Sequence, residues 1–250
     1  MAIFLQDTYA VLWSELRFLL RFWKRTLFSS LLGSLLYLLA FGYGLASSID
    51  VVDGSNYLLF VIPGIIALTA MSGSYNGAGM KLHIDKIYYK SFDEVLMSPV
   101  SLGSVVIGKA LSGVLRGSIS AGAFIIIGLI SAPEMIVNIY FILILLLSML
   151  MFSFLGIMAA LISNSHQDMI TFGNVLILPM TFLGGTFFSL EQLPLLLKGL
   201  IYALPLTHSS QTLRAIALGQ DFPWASLFFL SLFTLVFFAI SFYRLRKISI

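Results

Sequence analysis

Residues 138–162 read NIYFILILLLSMLMFSFLGIMAALI, with no Lys, Arg, Asp or Glu among them. About 20 mostly apolar residues suffice for a helix to cross hydrocarbon about 30 Å thick, at about 1.5 Å of rise per residue. A stretch this long and this apolar predicts a membrane-spanning helix. The same criterion selects five further stretches: 27–46, 57–79, 102–130, 169–188 and 224–243. All six are predicted to be helical, because lipid offers no partner for open backbone groups and barrel strands would be shorter and alternating. The predicted fold is an all-α integral membrane protein, with one transmembrane domain over residues 1–250.

Composition agrees with that reading. Of 250 residues 59% are hydrophobic and 10% charged, with a mean hydropathy of +1.01. Soluble domains run nearer 45–50% apolar and about 25% charged. Too few charges remain to cover a water-exposed surface, which excludes a soluble enzyme, a disordered chain and a nucleic-acid binder, despite a pI near 9.1. There is no cysteine, hence no disulfide and no thiolate metal site. Asp7 and Glu15 interrupt the N-terminus before the first long apolar run, so no cleavable signal peptide is expected.

The charges divide by side. Arg17, Arg21, Lys24, Arg25, Lys81, Lys86, Lys90, Lys109, Arg116, Arg244, Arg246 and Lys247 fall on one side with Asp7, Glu15, Asp85, Asp93, Glu94 and Asp168. Lys198 and Arg214 fall on the other with Asp50, Asp53, Glu134, Glu191 and Asp221. Twelve cations against six acids leave +6, and two against five leave −3, which recovers the net +3. Cations collect on the cytoplasmic side, so both termini are predicted inside, as six crossings require.

Three segments are neither spans nor plain loops. In 6–25, Arg17, Arg21, Lys24 and Arg25 share one helical face, while Leu12, Trp13, Leu16, Leu19, Leu20 and Trp23 share another. This predicts an amphipathic helix on the cytoplasmic interface, either an anchor for the first span or a partner-docking element. The loop 81–101 mixes Lys86, Tyr88, Tyr89, Phe92, Asp93, Glu94, Leu96 and Met97 before Ser98-Pro99 stops any helix. A short aromatic and charged helix beside the membrane suits a cytosolic protein partner, or is an ordinary solvated loop helix. Outside, 189–222 carries apolar Leu195 to Leu204, about half the crossing length, broken by Gly184, Gly185, Pro194, Pro205 and Gly219. Two short helices in a re-entrant lid are expected there.

Candidate chemistry is sparse. Gly103 to Ala110 imitates a phosphate loop, but Ala110 replaces the required Ser or Thr and no strand precedes it. The chain therefore brings no ATP site of its own. His83, His166 and His208 fall in three separate loops, so no shared metal site is expected, and His208 is assigned a structural or lid role. Lys109 and Arg116 lie seven residues apart on one helix face; Arg116 either snorkels to the interface or lines a vestibule able to hold an anionic headgroup. Gly73 to Gly77 and Gly113 to Gly117 both read GxxxG, a pattern permitting close helix approach. Asn76 and Asn174 are costly in lipid and should face another helix or a pore.

The strings FVIPGI (60–65), DEVLMSPVS (93–101), FLGGTFFSLEQLP (182–194) and ALPLTHSSQTLRAIALG (203–219), in this order of elements, resemble the type-2 permeases of ATP-binding cassette (ABC) transporters. The likeness covers essentially the whole chain and is nearest to the exporters of lipo-oligosaccharides, polysaccharides and drugs. That resemblance implies an ATP-driven exporter subunit that pairs with a second permease copy, usually itself, and with two copies of a cytosolic ATPase that binds ATP and Mg. It implies a coupling helix over 86–97, assisted by the N-terminal helix with Arg17 and Arg21. It further implies a path lined by Tyr37, Tyr43, Asn76, Arg116, Asn174, Thr181 and Phe187, capped by the hairpin 193–218. Two rivals fit the composition, an ion-coupled carrier and an integral-membrane enzyme acting on lipid. A carrier needs buried carboxylates in its spans, and the sequence places none mid-membrane.

Overall fold

The computed structural model describes residues 2–46, 51–52, 55–190 and 193–248. Asp50, Asp53 and Glu191 of the charge division lie outside the described residues. The first helix, α1 (Ala2–Tyr37), runs without a break through the predicted boundary at 25–27 into a π-helical turn at Leu38–Tyr43 and the short α2 (Gly44–Ala46). The interfacial helix and the first span are therefore one helix. No Pro or Gly stands between residues 6 and 32 to separate them.

A two-residue antiparallel ladder, β1 (Val51–Val52) with β2 (Ser55–Asn56), leads into α3 (Tyr57–Tyr75), capped by the Asn56 side chain accepting from Leu58 N–H. Helical backbone then continues through a π turn at Asn76–Met80, α4 (Lys81–Ile84) and a second π turn at Asp85–Tyr89. The second span is thus a 33-residue helix, Tyr57–Tyr89, ten residues longer than predicted. It ends where Lys90 takes a left-handed backbone, φ 54°. Only α5 (Ser91–Met97) remains of the predicted 86–97 helix.

The next two helices, α6 (Leu102–Ser131) and α7 (Ile139–Ile162), match the prediction within a residue. Ser101 and Asn138 cap them, each side chain accepting a backbone N–H from the first turn. The fifth predicted span is shorter than read. It comprises α8 (His166–Phe172), a π turn at Gly173–Ile177 and α9 (Leu178–Leu183), and leaves the helix at Gly184. Then follow α10 (Leu195–Tyr202), α11 (Pro205–Ala217) and α12 (Trp224–Ile248). Among the described residues five helices are long and apolar enough to cross a membrane, and α8–α9 is not one of them.

The core is built around α3, whose residues from Phe60 to Met71 are almost all buried. A helix apolar on every side belongs in the middle of a bundle, and α1, α6, α7 and α11 enclose this one. The two GxxxG strings meet face to face. A Cβ placed on Gly73 would lie 2.9 Å from the Gly117 Cα, and one on Gly77 3.3 Å from the Gly113 Cα. Two residues further on, a Cβ on Gly79 would fall 2.7 Å from the Gly156 Cα of α7. Backbones touch at these crossings because nothing but hydrogen separates them.

Candidate functional site

The inward face of α1 is not its predicted apolar stripe. Thr8, Val11, Glu15 and Leu19 are buried, while Trp13, Leu20 and Trp23 are exposed along with Arg17 and Arg21. The acid on that inward face finds a partner. Glu15 pairs with Lys109 of α6, which also reaches Asp85 at 3.0 Å, and Asp85 pairs in turn with Lys81. Arg116, two turns beyond Lys109, approaches Glu15 at 3.7 Å. These charges are almost completely withdrawn from solvent. The string that imitated a phosphate loop is therefore helix, and its lysine is occupied by two carboxylates.

Between α1 and α3 opens a cavity of about 730 Å³. Tyr37, Asn76 and Arg116, three of the predicted path residues, line it, with Lys81, Ser30 and Ser72. Arg116 sits at the middle of α6 and is turned inward onto Glu15. The Asn76 amide donates to Ser72 O at 2.9 Å, on the first π turn. Towards the other end, Tyr37 and Phe41 pack with Phe182 and Phe187, the Phe41 and Phe187 rings stacking at 4.2 Å. The remaining path residues lie apart from the cavity. Thr181 is buried with its hydroxyl on Ile177 O, Tyr43 donates to Ser131, and Asn174 is exposed on the π turn between α8 and α9.

The segment from Gly184 to α11, predicted to form a lid, is tied down by residues the sequence did not single out. Arg214 of α11 donates from Nε to Phe60 O at 3.0 Å and from Nη2 to Gly185 O at 2.8 Å and Thr186 O at 3.2 Å. Its guanidinium also lies 3.7 Å from the Phe60 ring centroid. Ser210 donates to Gly184 O, and Gly185 takes φ 67°. Pro194 and Pro205 begin α10 and α11, where a missing N–H costs nothing. His208 joins the two helices through Tyr202 O at 2.9 Å and stacks on Phe229 of α12, a structural role.

The residues predicted to dock a partner divide. Tyr88, Tyr89, Asp93, Glu94 and Met97 are exposed, and Leu96 is half-buried. Phe92 instead turns inward, buried with Leu82, Val106 and Leu245, and so pins α5 to the bundle. Lys86 also serves the fold, since its Nζ donates to the carbonyls of Ala160, Leu161 and Ser163 at the end of α7. His83 is not in a loop but buried on α4, and its ring lies 5.9 Å from that of His166, which brings the two inner histidines together. No group of three or more metal-ligating side chains occurs among the described residues. At the 163–168 turn, Ser165 and Asp168 form a reciprocal cap. Hydrogen bonds from the Asn164 and Ser165 N–H groups and the Ser165 hydroxyl hold the Asp168 carboxyl below its usual pKa.

Residues 6–218 match the family model described as ABC-2 type transporter. The chain is 27% identical over 231 residues to the inner membrane transport permease YadH of Escherichia coli K12, covering 92% of this chain and 88% of that protein. It is 27% identical over 203 residues to nodulation protein J of Rhizobium meliloti, covering 79% and 78%. The Neorhizobium galegae nodulation protein J is likewise 27% identical, over 206 residues. A multi-pass helical bundle, matched over most of its length by this family model, belongs to the ABC-2 type transporter family as a membrane permease.

Proposed function

We propose that this permease moves an amphipathic or lipid-linked molecule, such as a lipo-oligosaccharide, polysaccharide or hydrophobic drug, out of the inner leaflet or cytoplasm. Hydrolysis of ATP, with Mg, in two copies of a separate ATPase powers the movement. A second copy of the chain completes the transporter, with six crossings per copy and both termini cytoplasmic. The exposed helix α5 carries this reading: Phe92 anchors it, and Asp93, Glu94 and Met97 point outward beside Tyr88 and Tyr89. Because Lys90 breaks the helix there, α5 projects from the end of the long second helix and transmits a push directly along it. Arg17 and Arg21, exposed on α1, offer cations for the same partner. The α10–α11 hairpin closes the outer end of the path over Tyr37, Thr181 and Phe187, with Tyr43 and Asn174 towards the second copy.

The orientation survives the structural pairing of charges. Setting aside Lys81, Lys109 and Arg116 with Glu15 and Asp85 leaves nine cations against four acids on the cytoplasmic side. Purification in mild detergent tests the assignment. The chain should bring down ATP hydrolysis, and Glu94→Lys with Met97→Glu should reduce it at least about tenfold at unchanged melting midpoint, as loss of a central docking contact does. Export that continues in ATP-depleted vesicles under an ion gradient would return the carrier reading, and retained ATPase binding by the double variant would remove α5 from the interface.

A further inference from the structure

Three cations and two carboxylates pack together where α1, α4 and α6 meet: Lys81, Lys109 and Arg116 against Glu15 and Asp85. One positive charge is left over, and a buried charge without compensation is costly. The surplus faces one way. Lys81 and Arg116 both line the cavity of about 730 Å³, whereas neither carboxylate is among the described residues that line it. Arg116 is 9% exposed; its Nε and Nη2 are closed off on the protein side, with Nη2 3.7 Å from Glu15, and what remains of the guanidinium surface lines the cavity. A guanidinium and an ammonium on one wall suit the oxygens of a single phosphate. Asn76, Ser30 and Ser72 add neutral polar groups to the lining, and Phe22, Leu68 and Met80 add apolar ones.

We propose that this cavity binds a singly charged phosphate group, a phosphodiester borne on an acyl chain, with Arg116 and Lys81 as its cationic ligands. The ligand cancels the leftover charge, and its chain lies against the apolar part of the lining. The assignment rests on the reading of the chain as a permease for amphipathic cargo, but the binding needs no ATPase and is tested without one. Arg116→Gln leaves two cations against two carboxylates, so the variant keeps a balanced interior and is expected to fold.

The test uses the purified full chain in a neutral maltoside detergent, titrated with dioctanoyl phosphatidylglycerol, dioctanoyl phosphatidylcholine or inorganic phosphate, with binding followed by native mass spectrometry and melting midpoint. Phosphatidylglycerol is expected to bind at least about tenfold tighter than phosphatidylcholine, and Arg116→Gln to abolish the preference. Arg116→Lys should keep part of it. If inorganic phosphate protects as well as phosphatidylglycerol, the anion site stands and its source is the free ion. Equal binding of the two lipids, or a preference that survives Arg116→Gln, overturns the proposal. Should that variant fail to fold, Asn76→Leu, outside the ion pairs, must weaken the preference several-fold, and no change there overturns it as well. A chain with this preference that recruits no ATPase would remove the exporter reading and leave the site in place, while a chain that recruits one without the preference does the reverse.

Discussion

Two buried cations hold the two ends of this bundle, and they are satisfied in different ways. Lys109 is met by carboxylates that arrive on separate helices, Glu15 on α1 and Asp85 beyond α4. Arg214 is met by backbone carbonyls of Phe60, Gly185 and Thr186 and by the face of the Phe60 ring. A carbonyl cannot leave without unravelling the chain that bears it, so the outer clamp fixes one shape of the 184–186 turn. A carboxylate on a neighbouring helix can exchange one cation for another as the helices slide. Glu15 already has two cations along one face of α6, Lys109 on one carboxylate oxygen and Arg116 at 3.7 Å from the other. Side-chain pairs of the first kind can re-form on a new partner, whereas a clamp on backbone carbonyls holds one local shape.

The sharpest way to break that comparison is Lys109→Met. It leaves two carboxylates buried with only Lys81 and Arg116 to share, and breaking one partner out of a buried pair costs about 3–5 kcal/mol. Thermal unfolding in detergent, read by tryptophan fluorescence, should show the loss. Combined with Glu15→Gln the losses should be less than additive, because the two side chains pair directly. Additive losses would mean that the pair does not act as a unit.

At the outer end the matching change is Arg214→Lys, which keeps the charge and deletes the fork. An ammonium cannot reach Phe60 O and the Gly185 and Thr186 carbonyls at once, and hydrogen bonds to charged groups are worth about 1.5–3 kcal/mol each. A loss of about 3 kcal/mol is expected, together with faster protease cleavage near residues 184–190. The same substitution at Arg116 should leave the melting midpoint nearly unchanged. Between the two ends lies the backbone crossing. Gly79→Ala would drive a methyl group 2.7 Å from the Gly156 Cα, with no flexible side chain to yield, and overpacking of this kind costs about 1–3 kcal/mol. Circular dichroism melts should register it, and a neutral result would mean that α3 and α7 slide freely there.

The two ends were unequally readable from sequence. Helices α6 and α7 could be bounded almost to the residue, since each is a long charge-free or nearly charge-free run behind a capping Ser101 or Asn138. The second helix was cut short at Gly79 because Lys81, His83 and Asp85 look like loop residues. The segment is helical all the same: Asp85 pairs with Lys81 one turn earlier and with Lys109, 24 residues later, a pairing that no local pattern reveals. Phe92 was grouped with the docking residues on spacing alone, yet the pocket that receives it is assembled from α4, α6, α7 and α12. The fifth span was drawn through Gly184 for the same reason. Its apolarity continues to Phe188, and what ends the helix is Arg214 reaching back across 29 residues to Gly185. Residue type located Arg116 and Asn76 as out of place in lipid, but only the fold puts them in one cavity with Tyr37.

The gentlest probe of the outer end is Gly185→Ala. Its φ of 67° lies where an L side chain is strained, and that conformation costs a non-glycine residue about 1–2 kcal/mol. Space does not add to the cost, because the new methyl group would rest 3.4 Å from Leu190, ordinary contact. Gly185→Asn should recover part of the loss, since asparagine tolerates the left-handed region better than alanine does. A melting series of Gly, Asn and Ala in that order would show that backbone conformation sets this turn. If the Ala variant matched the parent protein, the turn must be free to flip, and the rigidity assigned to the Arg214 clamp would fail with it.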